Sequence, residues 1–150
     1  HIEDIFEIAE RMEENGAKFY SDAAAKVDNA EIKKMLISLS EMEVEHEKVF
    51  KNMRASISAS SGDNFDPYGE AALYLRSLAD TQVFFKRDID LSSAKEVLKE
   101  AVQAEKDAIT YYLGMKKLVP DDLGKSDMDD IIKEEMSHVK ILGQKLLALK

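Results

Sequence analysis

From residue 2 to residue 27, apolar and a few special positions recur at Ile2, Phe6, Ala9, Glu13, Gly16, Tyr20, Ala23 and Val27, alternately four and three apart. That spacing lays them along one stripe of an α-helix, predicted over residues 2–27. A single glutamate sits in the middle of the stripe. A second helix, predicted over residues 29–55, carries Ile32, Leu36, Leu39, Glu43, His46, Phe50 and Met53 on its stripe. Asp28 followed by Glu31 is a capping-box pattern, so the second helix begins after a tight turn and the two are antiparallel neighbours.

The pattern then fails. Residues 56–66 are rich in Ser, Asp and Gly, and Pro67 closes the run. Residues 68–78 have the makings of a short helix and residues 81–91 read either way, so 56–91 are taken together as one long crossover. A third helix, predicted over residues 93–118, opens on the capping box Ser93–Glu96 and carries Leu98, Ala101, Glu105, Ala108, Tyr112 and Met115. The break at residues 119–124, which holds Pro120 and Gly124, leads to a fourth helix over residues 126–149, with Met128, Ile131, Glu135, His138 and Leu142 on one face. The expected fold is all-α: a four-helix bundle of two helical hairpins, with the long crossover letting the third helix run parallel to the second. At 150 residues the chain suits a single domain spanning 1–150.

The polar residues inside these stripes change the picture. Glu43-x-x-His46 and Glu135-x-x-His138 are related by a shift of 92 residues, and the same shift carries Glu13 onto Glu105 and Tyr20 onto Tyr112. The chain therefore reads as a duplicated hairpin. Glu and His three apart on a helix point the same way and can place an oxygen and a nitrogen on a common ion. Two such motifs, with one glutamate from each of the other two helices, are the donor set of a carboxylate-bridged pair of iron or manganese ions in a bundle core.

Charge gives an independent reason, because four buried carboxylates without counter-charge would each cost several kcal/mol. Two divalent cations neutralise Glu13, Glu43, Glu105 and Glu135 and leave both imidazoles uncharged. Iron suits this mixed set, with manganese or zinc as substitutes, though zinc usually takes fewer ligands. The repeat assigns Glu13, Glu43 and His46 to one ion and Glu105, Glu135 and His138 to the other, with Glu43 and Glu135 as bridges. Tyr20 and Tyr112 are candidates to donate hydrogen bonds to the ligating carboxylates, with plain core packing as the alternative. Glu14, Glu41, Glu45, Glu47 and Glu134 flank the stripes and read as solvated faces; the methionines read as core filler. His1 is given no role, and no catalytic residue beyond the metal ligands is expected.

A net charge of −9 argues against binding to nucleic acid or an anionic membrane surface. The absence of cysteine removes disulfides, thiolate sites and cysteine nucleophiles. No apolar run approaches a membrane span, and the opening residues lack the basic start and apolar middle of a signal peptide. The expected location is the cytoplasm.

Glu13-x-x-Gly16-x-x-Phe19-Tyr20, Glu43-x-x-His46, Glu105 followed by Tyr111-Tyr112, and Glu135-x-x-His138 resemble the rubrerythrin branch of the ferritin-like diiron proteins. The resemblance implies a ferritin-like bundle with a non-haem diiron centre that reacts with hydrogen peroxide or dioxygen, its iron cycling between ferrous and ferric. Full rubrerythrins carry a Cys-ligated rubredoxin module, which a chain without cysteine cannot form, so an external electron-donor protein is expected. They also place a further Glu three residues after the third-helix ligand, where this chain has Ala108; the remaining six-ligand set looks more like the ferroxidase centre of bacterioferritin. The expected function is a diiron peroxidase or oxidase, in a homo-oligomer taken to be a dimer. The alternatives are a ferroxidase of an iron-storage shell and a non-catalytic metal-binding bundle.

Overall fold

The computed structural model describes residues 2–59, 69–81 and 88–149, and all regular structure among them is helical. The helices are α1 (Ile2–Lys26), α2 (Ala30–Ala59), α3 (Glu70–Thr81), α4 (Ala94–Lys116) and α5 (Lys125–Ala148). Every stripe residue named above is buried.

The helix ends differ from the predicted ones for local reasons. The cap of α2 is Asn29 and not Asp28: its Oδ1 accepts a 3.0 Å hydrogen bond from Ile32 N, satisfying one of the open N–H groups of the first turn. Ser93 caps α4 as expected, accepting from Glu96 N at 3.2 Å. α5 is preceded by Gly124, whose φ of +126° is strained for any residue bearing a Cβ; such an atom would also lie 2.7 Å from Met53 Cε.

The stretch 56–91 is not a single irregular connection. α2 continues to Ala59, and α3 lies within the crossover, two residues later than its predicted start. A helix of twelve residues is marginal alone and depends on what it packs against. α3 buries Ala72 and Leu75, and Gly114 of α4 makes the seat: a Cβ there would come within 2.9 Å of both Leu75 and Tyr74. Residues 60–68 and 82–87, including the Pro67 break and most of the ambiguous 81–91 stretch, lie outside the described residues.

Side-chain contacts fix the helix directions. Ser40 bonds to Ala17, Arg54 to Glu7 and Glu10, and Ser58 to Glu3, so α1 and α2 are antiparallel. Tyr20 reaches Glu105 and Tyr112 reaches Glu13, so α1 and α4 are antiparallel as well. α2 and α4 therefore run parallel, as the long crossover requires.

The core has three layers along the bundle axis. One apolar cluster holds Phe6, Phe50, Met53, Tyr111, Tyr112 and Met128; another holds Tyr20, Leu36, Leu39, Leu98, Ala101 and Leu142. Between them lie Glu13, Glu43, His46, Glu105, Glu135 and His138, each no more than 3% exposed.

Candidate metal centre

Each of the four long helices presents its mid-stripe carboxylate to the central layer, and α2 and α5 add an imidazole one turn further on. The structure brings all six predicted ligands together. Glu13, Glu43, His46 and Glu135 form one group and Glu43, Glu105, Glu135 and His138 a second, each with its ligand atoms within 4.8 Å of one another. Glu43 and Glu135 belong to both groups, the place the repeat gave to bridging carboxylates.

The two predicted tyrosines touch this layer from opposite apolar clusters. Tyr20 Oη donates to Glu105 Oε1 and Tyr112 Oη donates to Glu13 Oε1, both at 2.7 Å. Burial, and then the nearby carboxylate charge of Glu135 and Glu13, push the Tyr20 hydroxyl well above its ordinary range. Burial and the adjacent Glu13 do the same to Tyr112. Both remain protonated donors that fix one oxygen of each carboxylate and leave the other facing inward.

Those inward atoms show whether the layer fits cations. Glu13 Oε2, Glu43 Oε1, Glu105 Oε2, Glu135 Oε2 and His138 Nδ1 are buried with no hydrogen-bond partner among the described residues. Buried polar atoms are normally paired. Five converging lone-pair donors left bare in a dry core are unfavourable as a hydrogen-bonding network and suitable as a cation site.

Protons relieve part of the charge. Burial, reinforced by Glu135, pushes Glu13 up to about 8 against the opposing effects of His46 and Tyr112. Burial disfavours a charged His46, but hydrogen bonds and attraction to Glu13 and Glu135 outweigh it and raise the imidazole to about 11. Burial likewise disfavours the Glu135 carboxylate, yet His138 and His46 hold it below its ordinary range. Protons on Glu13 and His46 thus offer an alternative to cations in neutralising the core. They give none of the five atoms a hydrogen bond, although His138 Nδ1 stands 3.6 Å from Glu135 Oε2 and 3.8 Å from Glu105 Oε2.

One flanking residue departs from the solvated face expected of it. Glu134 is not simply part of a solvated face: its Oε2 pairs directly with His46 Nε2 across the α2–α5 boundary. His46 Nδ1 meanwhile faces the cluster, 2.9 Å from Glu135 Oε1. His138 stands in the corresponding place, but its Nε2 meets Met42 Sδ at 3.3 Å. Met42 and Glu134 are themselves related by the shift of 92 residues, a signal present in the sequence. Also unforeseen is Glu10, buried one turn before Glu13 and clamped by Arg54, with Nε 2.8 Å from Oε2 and Nη2 3.0 Å from Oε1. Tyr111 donates to the Ile5 carbonyl at 3.1 Å and faces away from the carboxylates.

Ala108 lines the cluster beside Glu13, Glu43, Glu105, Glu135 and Tyr112, so the additional carboxylate of the resembling family has no counterpart there.

Comparison with known proteins agrees with this geometry. Residues 1–54, which make up α1 and most of α2, match the rubrerythrin family. A crystal structure from Thermotoga maritima, provisionally assigned as a ferritin-like diiron-carboxylate protein, is similar over 97% of this chain and 93% of its own, with a TM-score of 0.70 and 25% sequence identity. No curated protein matches the sequence. The fold is ferritin-like, as the resemblance of the motifs implies. No helix among the described residues is long and apolar enough to cross a membrane.

Proposed function

We propose that this chain, a rubrerythrin-like member of the ferritin-like diiron-carboxylate proteins, is a non-haem diiron oxidoreductase acting on hydrogen peroxide or dioxygen. The observation that carries the reading is the pair of buried four-residue groups sharing Glu43 and Glu135, with five bare donor atoms turned into them. Glu13 and His46 would hold one ion, Glu105 and His138 the other, and Glu43 and Glu135 both. Iron bound there would supply the one-electron changes that reduction of peroxide or dioxygen requires. Tyr20 and Tyr112 keep two of the carboxylates oriented through their Oε1 atoms. The apolar clusters on either side exclude water and so strengthen every charge interaction in the layer. The reading takes the reductant to be a separate electron-donor protein and the active unit to be a dimer in the cytoplasm.

Ferrous titration and metal analysis test the site. Wild type should bind about two ions per chain, and Glu43→Ala and His138→Ala should each bind fewer. Unchanged stoichiometry in both variants would overturn the assignment. The loaded protein should then consume peroxide when given an external reductant. Light scattering separates this reading from iron storage, which needs a closed shell of many subunits.

A further inference from the structure

The two halves of the centre are not equivalent, and the difference lies behind the histidines. His46 and His138 occupy corresponding places in the repeat, with rings 6.2 Å apart and 21° from parallel. Each turns Nδ1 toward the carboxylates and Nε2 away from them. Behind His46 Nε2 is the Glu134 carboxylate, from α5. Behind His138 Nε2 is the Met42 thioether, from α2.

A carboxylate is a strong, charged acceptor and a thioether a weak one. When a cation takes the place of the Nδ1 proton, Glu134 therefore holds the remaining His46 proton on Nε2, which leaves the Nδ1 lone pair directed into the cluster, and its charge makes that nitrogen a better donor. Met42 fixes neither the tautomer nor the basicity of His138 comparably. Outer partners of this kind change metal affinity by about 10–100-fold.

We propose that Glu134 is a positioning residue that makes the His46 half of the centre the tighter cation site, and that Met42 leaves the His138 half the weaker one. This inference rests on the dimetal reading above and adds an order of filling to it. Stepwise binding to wild type cannot test it, because two cations sharing Glu43 and Glu135 repel each other even in a symmetric site. Single-ion comparisons remove that repulsion.

The test uses the full chain, stripped with chelator and titrated with cobalt(II), followed by calorimetry and visible absorption. His138→Ala keeps the His46 half, and His46→Ala keeps the other. The first should bind its ion about 10–100-fold more tightly than the second. Adding Glu134→Ala to His138→Ala should abolish that advantage, and Glu134→Gln, which retains an acceptor without the charge, should restore part of it. Adding Met42→Glu to His46→Ala should tighten binding by a similar factor. Nitrogen-15 spectra of the intact protein should show His46 Nε2–H shifted by its hydrogen bond to Glu134, a shift lost in Glu134→Ala. The Glu134 side chain is nearly half exposed and belongs to neither apolar cluster, so its replacement leaves the packed core in place.

Equal affinities of the two histidine variants, or a Glu134→Ala change that leaves the His46 half as tight as before, would overturn the inference while leaving the centre itself standing. Wild type that takes up no cobalt would overturn both. Should either histidine variant fail to fold, Glu134→Ala and Met42→Glu in the otherwise intact chain decide instead. The inference requires the former to weaken one binding step and the latter to strengthen the other, and the absence of both effects ends it.

Discussion

Tyr20 of α1 donates a 2.7 Å hydrogen bond to Glu105 of α4, 85 residues away in the chain. The repeat returns the favour, with Tyr112 of α4 donating to Glu13 of α1 at the same distance. Each of these carboxylates is thus oriented by the opposite hairpin, and the two hairpins are latched across the polar layer. Because both hydroxyls are fully buried and bond to carboxylates, Tyr20→Phe and Tyr112→Phe should each lower stability by about 1.5–3 kcal/mol, read from urea unfolding of the chelator-treated protein. The two losses should be similar. A negligible loss in both would mean that the hydroxyls merely pack.

Stability without metal should fall as pH rises. Glu13 is held at about 8 in the fold against an ordinary 4.5, so its contribution is complete at acid pH and disappears as pH climbs to about 8. His46 is held at about 11 against 6.5, so its contribution begins to fade above 6.5 and is gone past 11. Glu135, lowered in the fold, acts in the opposite sense and only below its ordinary range. The melting temperature of chelator-treated protein should therefore decrease between pH 6 and pH 9. The loaded protein should show a weaker or reversed trend, since bound cations displace these protons and bind more tightly as proton competition fades. Parallel curves for the two forms would contradict the placement of the protons.

Arg54→Ala should destabilise the bundle by about 1–3 kcal/mol, less than a fully buried pair would lose because Arg54 is about one-third exposed to water. The change leaves Glu10 buried without its partner. Arg54→Ala combined with Glu10→Gln should recover part of the loss, and thermal unfolding of the three variants measures it.

Gly124→Ala should cost about 1–3 kcal/mol by imposing a side chain at φ +126°. Shortening the Met53 side chain would relieve the collision but not the backbone strain. A Gly124→Ala, Met53→Ala double variant as stable as Met53→Ala alone would show that strain at this turn is unimportant.

How far the sequence reaches depends on how regular the chain is. Leu36, Leu39, Glu43 and His46 declare their burial by spacing alone, so the four long helices and the six converging side chains could be read before any coordinates. α3 could not be placed with the same clarity, because what holds it is Gly114 on a distant helix and not a strong pattern of its own. Asp28 and Asn29 are both good caps, and only the backbone shows which one closes the first turn. Glu134 reads as solvated because it flanks the stripe, and a place beside the stripe does not exclude a partner on the next helix. Its side chain is nearly half exposed, and it still reaches a histidine that is almost wholly buried. Flanking residues need the neighbouring helix before their partners can be known.

The shift of 92 residues makes the molecule its own control. A change at Phe6 can be compared with one at Leu98, or Ala9 with Ala101, in nearly matched surroundings and within a single folded chain. The positions where the copies part are then the informative ones: Glu10 against Val102, Gly16 against Ala108, Phe19 against Tyr111 and Met42 against Glu134. Exchanging the members of one such pair leaves composition and net charge untouched. Whatever property moves with the exchange belongs to the residue, and whatever stays behind belongs to the half of the molecule.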